Sequence, residues 1–350
     1  MLDCFMWPFL FPGRIRIRST RKAENERMKF REDHRFFTAL KASGLPDRYQ
    51  KLEEKIGSDD FNIRCRQLRK FSWKRKAERW KESEAFHDLR AYRRLKKDPE
   101  LRRYYELKKD PVFYQYRSWS LTFEDHFNTF ERSKWITCYY AGERFLQATY
   151  GVGRDVQLFI PDNVRVREGH LYLEFRQQQI NGKYWDPRWG IITKDYGYTS
   201  GMVNTALSFR QKLGRFEVKL EIPADSSLDY CFWLTGDRFY PHINIVKFGS
   251  KGYEAGCFLG NPGEEQDVEQ LKRKVRLKSG FYIFTFDWLE DRMIWKINDC
   301  VVKTLKIHLP DAPALYACLS LGTTEEPGEV RLPEMMKVEW VRFYTKNKFD

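Results

Sequence analysis

Two side chains with proton chemistry, His242 and Lys247, stand five residues apart in Pro241-His-Ile-Asn-Ile-Val-Lys-Phe-Gly249, with Asn244 between them. The other residues of this stretch are mostly apolar, as in a strand. In a strand, positions i and i+2 share a face, and one extra residue in a bulge brings i+5 back to it. An imidazole beside a lysine whose charge burial suppresses would be an acid/base pair suited to elimination or another proton transfer. Asp229, Asp237 and Glu254 lie near in sequence and offer carboxylates. The seven cysteines, Cys4, Cys65, Cys138, Cys231, Cys257, Cys300 and Cys318, are widely spaced, with no Cys-x-x-Cys pair and no clustered histidines, so they read as free thiols rather than a disulfide framework or a zinc site. Basic runs at 64–70 and 74–76, interleaved with Phe71, Trp73 and Trp80, could grip phosphates or acidic glycans, or form a solvated helical surface.

The elements that must position these groups divide the chain in two. Residues 1–117 carry 32 Lys and Arg against 18 Asp and Glu, which is the whole excess of +14, while 118–350 carry 31 of each. Such asymmetry marks modules with different partners. At 42% hydrophobic and 16% aromatic, 350 residues support packed cores and exclude wholesale disorder or a fibrous repeat. From 31 to 117 glycine is scarce and Lys, Arg, Glu, Leu and Ala abound, which predicts helices. Leu95-Lys-Lys-Asp-Pro99 recurs twelve residues on as Leu107-Lys-Lys-Asp-Pro111. Each Asp-Pro pair suits a helix start, with Asp as N-cap and Pro at the first helical position, so joints are expected at 98–99 and 110–111. After Trp119 short alternating segments split by Gly, Pro, Asn and Asp predict an all-β sandwich.

Residues 1–30 read as a basic and apolar tail. Its opening is apolar but lacks a basic leader and is broken by Pro8 and Pro12, so it does not read as a signal peptide. No stretch approaches the roughly 18–20 apolar residues that cross a bilayer. The expectation is a protein that stays where it is made, or rides in an assembled particle, unless translation starts later, for instance at Met28. Nothing matches a helix-turn-helix, a zinc finger or a Gly-rich phosphate loop, so sequence-specific nucleic-acid reading is not expected.

The landmarks of 119–347 come in a recognisable order. Leu121-Thr-Phe-Glu-Asp-His-Phe-Asn128 precedes Trp135; then follow Val164-Arg-Val-Arg-Glu-Gly-His-Leu-Tyr-Leu173, Tyr198-Thr-Ser-Gly201 and Gly214-Arg-Phe-Glu-Val-Lys219. Phe232-Trp-Leu234, the stretch 281–288 and Val338-Glu-Trp-Val-Arg-Phe-Tyr344 complete the set. In this the chain resembles the jelly-roll domain of glycoside hydrolase family 16, the laminarinase, agarase and carrageenase group. The resemblance implies a mostly β, two-sheet antiparallel, concanavalin-like jelly roll over 118–350, behind a basic α-helical region at 31–117.

It also implies a site. That family hydrolyses β-linked glucans or galactans with retention, using Glu-x-Asp-x-x-Glu on one bulged strand. Here His242 stands at the nucleophile's position, Asn244 at the aspartate's and Lys247 at the acid/base's, while Tyr282 takes the place of a histidine the family often has. An amide does not titrate and a lysine cannot bond the anomeric carbon as a carboxylate does, so the expectation is a catalytically inactive relative. Sugar recognition needs only aromatic platforms and hydrogen bonds. Trp185 and Trp189, where the family often places a cleft-lining loop, and Trp233 and Tyr240 beside the altered motif are the candidates for carbohydrate binding, with loop or core packing as the alternative. Trp288 and Trp295 read as core. With a histidine and a lysine replacing two glutamates, the cleft would gain positive charge and suit an acidic or sulfated polysaccharide. No cofactor or metal is implied. Two other readings stay open: a structural or assembly protein whose basic helices dock a protein partner, and an active glycosidase with relocated carboxylates.

Overall fold

The computed structural model describes residues 15–68, 78, 80–237, 241–259, 269–270, 275–328 and 331–347. The chain divides into two compact units, one made of 119–347 with the residues up to Ala23, the other of Glu24–Ser118.

In the helical unit the twelve-residue repeat folds as its sequence dictates. Helices Pro99–Lys109 and Pro111–Arg117 both open on proline. The Asp98 carboxylate accepts from the N–H groups of Glu100 and Leu101 (2.8 and 3.1 Å), and Asp110 from those of Val112 and Phe113 (2.8 and 3.4 Å). Each cap satisfies donors that the first helical turn leaves free. The repeat's phase buries Leu101, Tyr104 and Phe113, and Tyr104 stacks on Phe37 at 4.4 Å. The first helix, Thr20–Ala42, starts well before residue 31, so the boundary expected there falls inside it. Of the two basic runs, residues 64–68 belong to the helix Asp59–Leu68, and residues 69–77 lie outside the described residues.

The larger unit is two sheets face to face, antiparallel except where Gln157–Phe159 and Gly151–Val152 join the first in parallel. One runs in the order Cys300–Lys306, Arg292–Ile297, Gly280–Trp288, Gly214–Ile222, Glu334–Lys346, His170–Asp186, Gly190–Ser200 and Gln157–Phe159, with Trp119–Asp125 also paired to Glu334–Lys346. The other runs Glu269–Gln270, Gly252–Phe258, His242–Gly249, Asp229–Thr235, Tyr316–Gly322 and Met202–Asn204. Neighbours distant in sequence, such as Asp229–Thr235 beside Tyr316–Gly322, make this a jelly roll rather than a meander. Between the sheets lie Phe216, Phe232, Phe284, Phe286, Trp288 and Trp295, all essentially inaccessible, as expected for the last two.

The outer face of the larger sheet departs from simple alternation. Glu217 and Lys219, polar positions of Gly214–Ile222, are buried; Glu217 accepts from Thr285 and Lys219 pairs with Glu339 at 2.6 Å. Residues 18–23 pack on this face. Arg18 pairs with Asp299 at 2.6 Å, Thr20 bonds to the Phe281 carbonyl, and Ala23 joins Ile283 and Trp340 in a small cluster. That end of the expected tail therefore belongs to the jelly roll.

Candidate functional site

The strand His242–Gly249 carries a bulge. Its pairing shifts register between Asn244 and Lys247 on one side and between Asn244 and Val246 on the other. Ile245 and Val246 are consecutive and both buried in the core, so His242, Asn244 and Lys247 emerge together on the opposite face. Two core side chains serve the bulge. The Trp295 indole donates to the Asn244 carbonyl at 2.9 Å, and the Tyr253 hydroxyl donates to that of Ile245, also at 2.9 Å.

Adjacent strands add to the same face Asp229, Cys231 and Trp233 on one side, and Glu254 and Phe258 on the other. The His242 ring stacks on Trp233 (4.8 Å, 27°) and meets Phe258 edge-on at 5.6 Å, forming a row of rings across three strands. Its Nε2 lies 3.1 Å from the Asn244 amide oxygen, and Trp233 donates to Ser320 at 3.2 Å. Enclosure between two aromatic rings disfavours the imidazolium, and the pKa of His242 is pushed down to about 4, the bond to Asn244 offsetting this only in part. At neutral pH His242 is an uncharged member of the aromatic row.

Lys247 behaves in the opposite way. Its ammonium is 3.3 Å from Asp229 and 3.8 Å from Glu254. Burial would lower its pKa, but Asp229 and its other neighbours outweigh that and raise it, so the lysine stays charged. Burial raises the Asp229 carboxyl, and Lys247 opposes the rise without cancelling it. Two sequence expectations fail here for the same reason. His242 and Lys247 are not an acid/base pair poised near neutrality, because burial neutralises the imidazole and two carboxylates keep the lysine protonated. Nor do the described residues of the face gain net positive charge: the histidine is neutral and the lysine is matched by Asp229 and Glu254, so the argument for an acidic or sulfated glycan loses its basis.

The linkage has a measurable sign. The folded pKa of His242 lies below the unfolded value of about 6.5, so the unfolded chain takes up the proton first and stability falls as pH drops from about 6.5 toward 4. The slope from this residue is about 1.4 kcal/mol per pH unit. Urea titrations of the protein and of His242→Phe across this range are expected to diverge by that slope, the variant being the less acid-sensitive.

The remaining sequence candidates are scattered. Trp185 and Trp189 occupy the tip of the long hairpin His170–Asp186 and Gly190–Ser200, where the Asp186 carboxylate caps the turn by accepting from the N–H groups of Arg188 and Trp189 (2.7 and 3.0 Å). They are 49% and 77% exposed, which disfavours loop packing. Gly190 closes the turn at φ +75°, a conformation that glycine adopts without strain. Tyr282 belongs to the other sheet, its hydroxyl accepting from the Lys278 N–H at 3.2 Å, and makes no described contact with His242, Asn244 or Lys247. Tyr240 lies outside the described residues. Asp237 is taken by Arg210 at 2.7 Å. Sequence reasoning missed Asp155, whose carboxylate accepts from the Tyr139 hydroxyl at 2.8 Å; a lone aspartate in a Gly-rich loop carries no motif that would have marked it.

No protein-family model matches the chain. It is 25% identical over 158 residues to the endo-1,3-1,4-beta-glycanase ExsH of Rhizobium meliloti (strain 1021), covering 43% of this chain and 34% of that protein. It is 27% identical over 162 residues to EglC, an endo-1,3-1,4-beta-glycanase of the same organism, covering 44% and 35%. The match thus spans about a third of these relatives' length. Among solved structures, the laminarinase catalytic domain of Thermotoga maritima MSB8 superposes with a TM-score of 0.53 at 16% identity, over 66% of this chain and 100% of that one. The endo-beta-1,3-glucanase of Pyrococcus furiosus gives 0.53 at 17% identity, over 66% and 96%, and SCLam, an endo-beta-1,3(4)-glucanase of family GH16, gives 0.52 at 18%, over 66% and 92%. The larger unit has the fold of the family 16 glycoside hydrolases.

Proposed function

We propose that this protein binds a neutral β-glucan on the outer face of its smaller sheet and does not hydrolyse it by the family's mechanism. The observation that carries the reading is the composition of that face. A row of rings, Trp233, His242 and Phe258, adjoins a partly exposed Asp229–Lys247–Glu254 cluster whose charges largely compensate, and His242, Asn244 and Lys247, to which the resemblance to family 16 would assign its catalytic acids, carry no carboxyl. Aromatic faces flanked by hydrogen-bonding groups suit pyranose rings and their hydroxyls, whereas retaining hydrolysis needs two carboxyls about 5–5.5 Å apart flanking the bond. The carboxylates nearest to such an arrangement, Asp229 and Glu254, are both engaged by Lys247, which speaks against a relocated catalytic pair. Trp185 and Trp189 would extend the binding surface at the hairpin tip.

The test is titration of laminarin- and lichenan-derived oligosaccharides into the protein. Trp233→Ala is expected to weaken binding at least tenfold, corresponding to about 1.4 kcal/mol or more of lost stacking, and Trp185→Ala with Trp189→Ala to weaken it less. Equal affinity in all three proteins would overturn this placement. The helical unit carries exposed Lys96, Lys97, Arg102, Lys108 and Lys109. An acidic protein partner docking there is the reading we attach to that unit.

A further inference from the structure

Trp233 is not the end of the ring row. The strands Asp229–Thr235 and Tyr316–Gly322 pair Trp233 with Cys318, so Tyr316, two residues before Cys318, projects from the same face. Ala206, Tyr316 and Cys318 form a small buried cluster on which both Trp233 and Tyr140 pack. Tyr140 is brought there by the sheet edge: Ile136 and Asn204 exchange backbone hydrogen bonds at 3.0 and 2.9 Å, and the Asn204 side-chain amide donates to the Cys138 carbonyl at 2.7 Å. The Tyr140 ring meets that of Tyr316 at 5.8 Å, and its hydroxyl accepts from Arg144 at 3.0 Å. From Phe258 through His242 and Trp233 to Tyr316 the row crosses four neighbouring strands, roughly 14 Å at the usual strand spacing.

Arg210 sits at this end of the row. Its guanidinium lies 4.8 Å from the centre of the Tyr140 ring and 5.1 Å from that of Tyr316. Nε donates to the Ala206 carbonyl at 2.9 Å, and Nη1 to Asp237 Oδ1 at 2.7 Å. Two rings, a carbonyl and a carboxylate thus preorganise one planar fork, and two of its five N–H groups are spent in doing so. Both members of the ion pair reach solvent, the side chains of Arg210 and Asp237 being 25% and 54% exposed. Their charges compensate, which suits hydroxyls rather than an anion: the guanidinium can donate to one sugar oxygen while the carboxylate accepts from the hydroxyl beside it.

We propose that Arg210 and Asp237 form a clamp for vicinal hydroxyls of a neutral glucan whose adjoining sugar rings lie along the row from Trp233; this rests on the glucan-binding reading above. Because the guanidinium is held before any ligand arrives, little side-chain freedom is lost when it engages. The clamp makes affinity depend on chain length. A short oligosaccharide is served by the rings around Trp233, whereas a longer one lying along the row also reaches Arg210 and Asp237. It also fixes where along the face a long chain comes to rest, since stacking alone tolerates sliding and a pair of directed hydrogen bonds does not.

The experiment is calorimetric titration of laminaritriose and laminarihexaose into the full chain and into Arg210→Met, Arg210→Lys, Asp237→Asn and Trp233→Ala. The unmodified protein is expected to bind the hexaose at least tenfold more tightly than the triose. Arg210→Met, which keeps an unbranched stem between the two tyrosines, should lose about tenfold for the hexaose and little for the triose. Arg210→Lys, which keeps the charge without the fork, should recover part of that loss, and Asp237→Asn should lose several-fold for the hexaose alone. Trp233→Ala should weaken both sugars. An arginine that only staples the two rings would, on removal, weaken both lengths equally or neither. Either result, or equal affinity of the unmodified protein for the two lengths, overturns the clamp; if Trp233→Ala still weakens binding in that case, the glucan-binding reading survives it. No binding of either sugar by the unmodified protein overturns both. Should Arg210→Met fail to fold, Asp237→Asn, at the more exposed side chain, decides.

Discussion

Replacement of Trp295 by alanine is expected to cost about 3–5 kcal/mol of stability, the range for deleting a large buried aromatic side chain. Trp295 rises from Arg292–Ile297 in the larger sheet, is completely buried against Phe286 (4.9 Å), and reaches across the core to donate to the Asn244 carbonyl. One side chain thus fills the space between the sheets and satisfies the backbone of the bulge. Trp295→Phe separates the two roles. It keeps much of the ring packing but leaves a core-facing carbonyl without its donor, for a loss of about 1–3 kcal/mol. Urea unfolding should show both as lower midpoints at unchanged slope, and near-equal stability of the three proteins would contradict this account of the bulge.

Lys247→Glu is the second large effect, and its direction runs against intuition. The substitution introduces the residue that the resemblance to family 16 would put there, yet it places a third carboxylate against Asp229 and Glu254, which now approach the ammonium to 3.3 and 3.8 Å. Two attractions become two repulsions. All three side chains keep some exposure, so solvent screens the change, and a loss of roughly 2 kcal/mol at pH 7 is expected. The deficit should shrink as pH falls, because the crowded carboxylates take up protons, and should shrink again when salt is added. Lys247→Met, which removes the attraction without adding repulsion, should lie between. If Lys247→Glu were as stable as the parent at pH 7, the cluster would not be the unit described here. An acidic residue at position 247 is therefore expected to be tolerated only where Asp229 and Glu254 are neutralised as well.

Much of this architecture was legible in the residues. Period-two alternation, Asp-Pro helix starts and the order of the family's landmarks are local signals, and each had a local structural outcome: the caps at Asp98 and Asp110, the strands after Trp119, and the shared face of His242, Asn244 and Lys247 across a bulge. What could not be read was what those side chains meet. That His242 is neutral depends on Trp233 and Phe258 from the flanking strands, and that Lys247 is charged but compensated depends on Asp229 and Glu254, up to eighteen residues away along the chain. The sign of the site's electrostatics is a property of strand pairing, which sequence spacing does not report. The start of the first helix at Thr20 escaped notice for a related reason: residues 18–23 are held by Asn298, Asp299 and Phe281, far along the chain.

Reducing-end release and polymer retention, measured together on laminarin and lichenan with the unmodified protein, separate a glycan-binding face from a hydrolytic one. Retention of polymer is expected, with release no greater than that of buffer. Release above that background, abolished by Asp229→Asn or Glu254→Gln, would contradict it and identify a working carboxylate pair on the face.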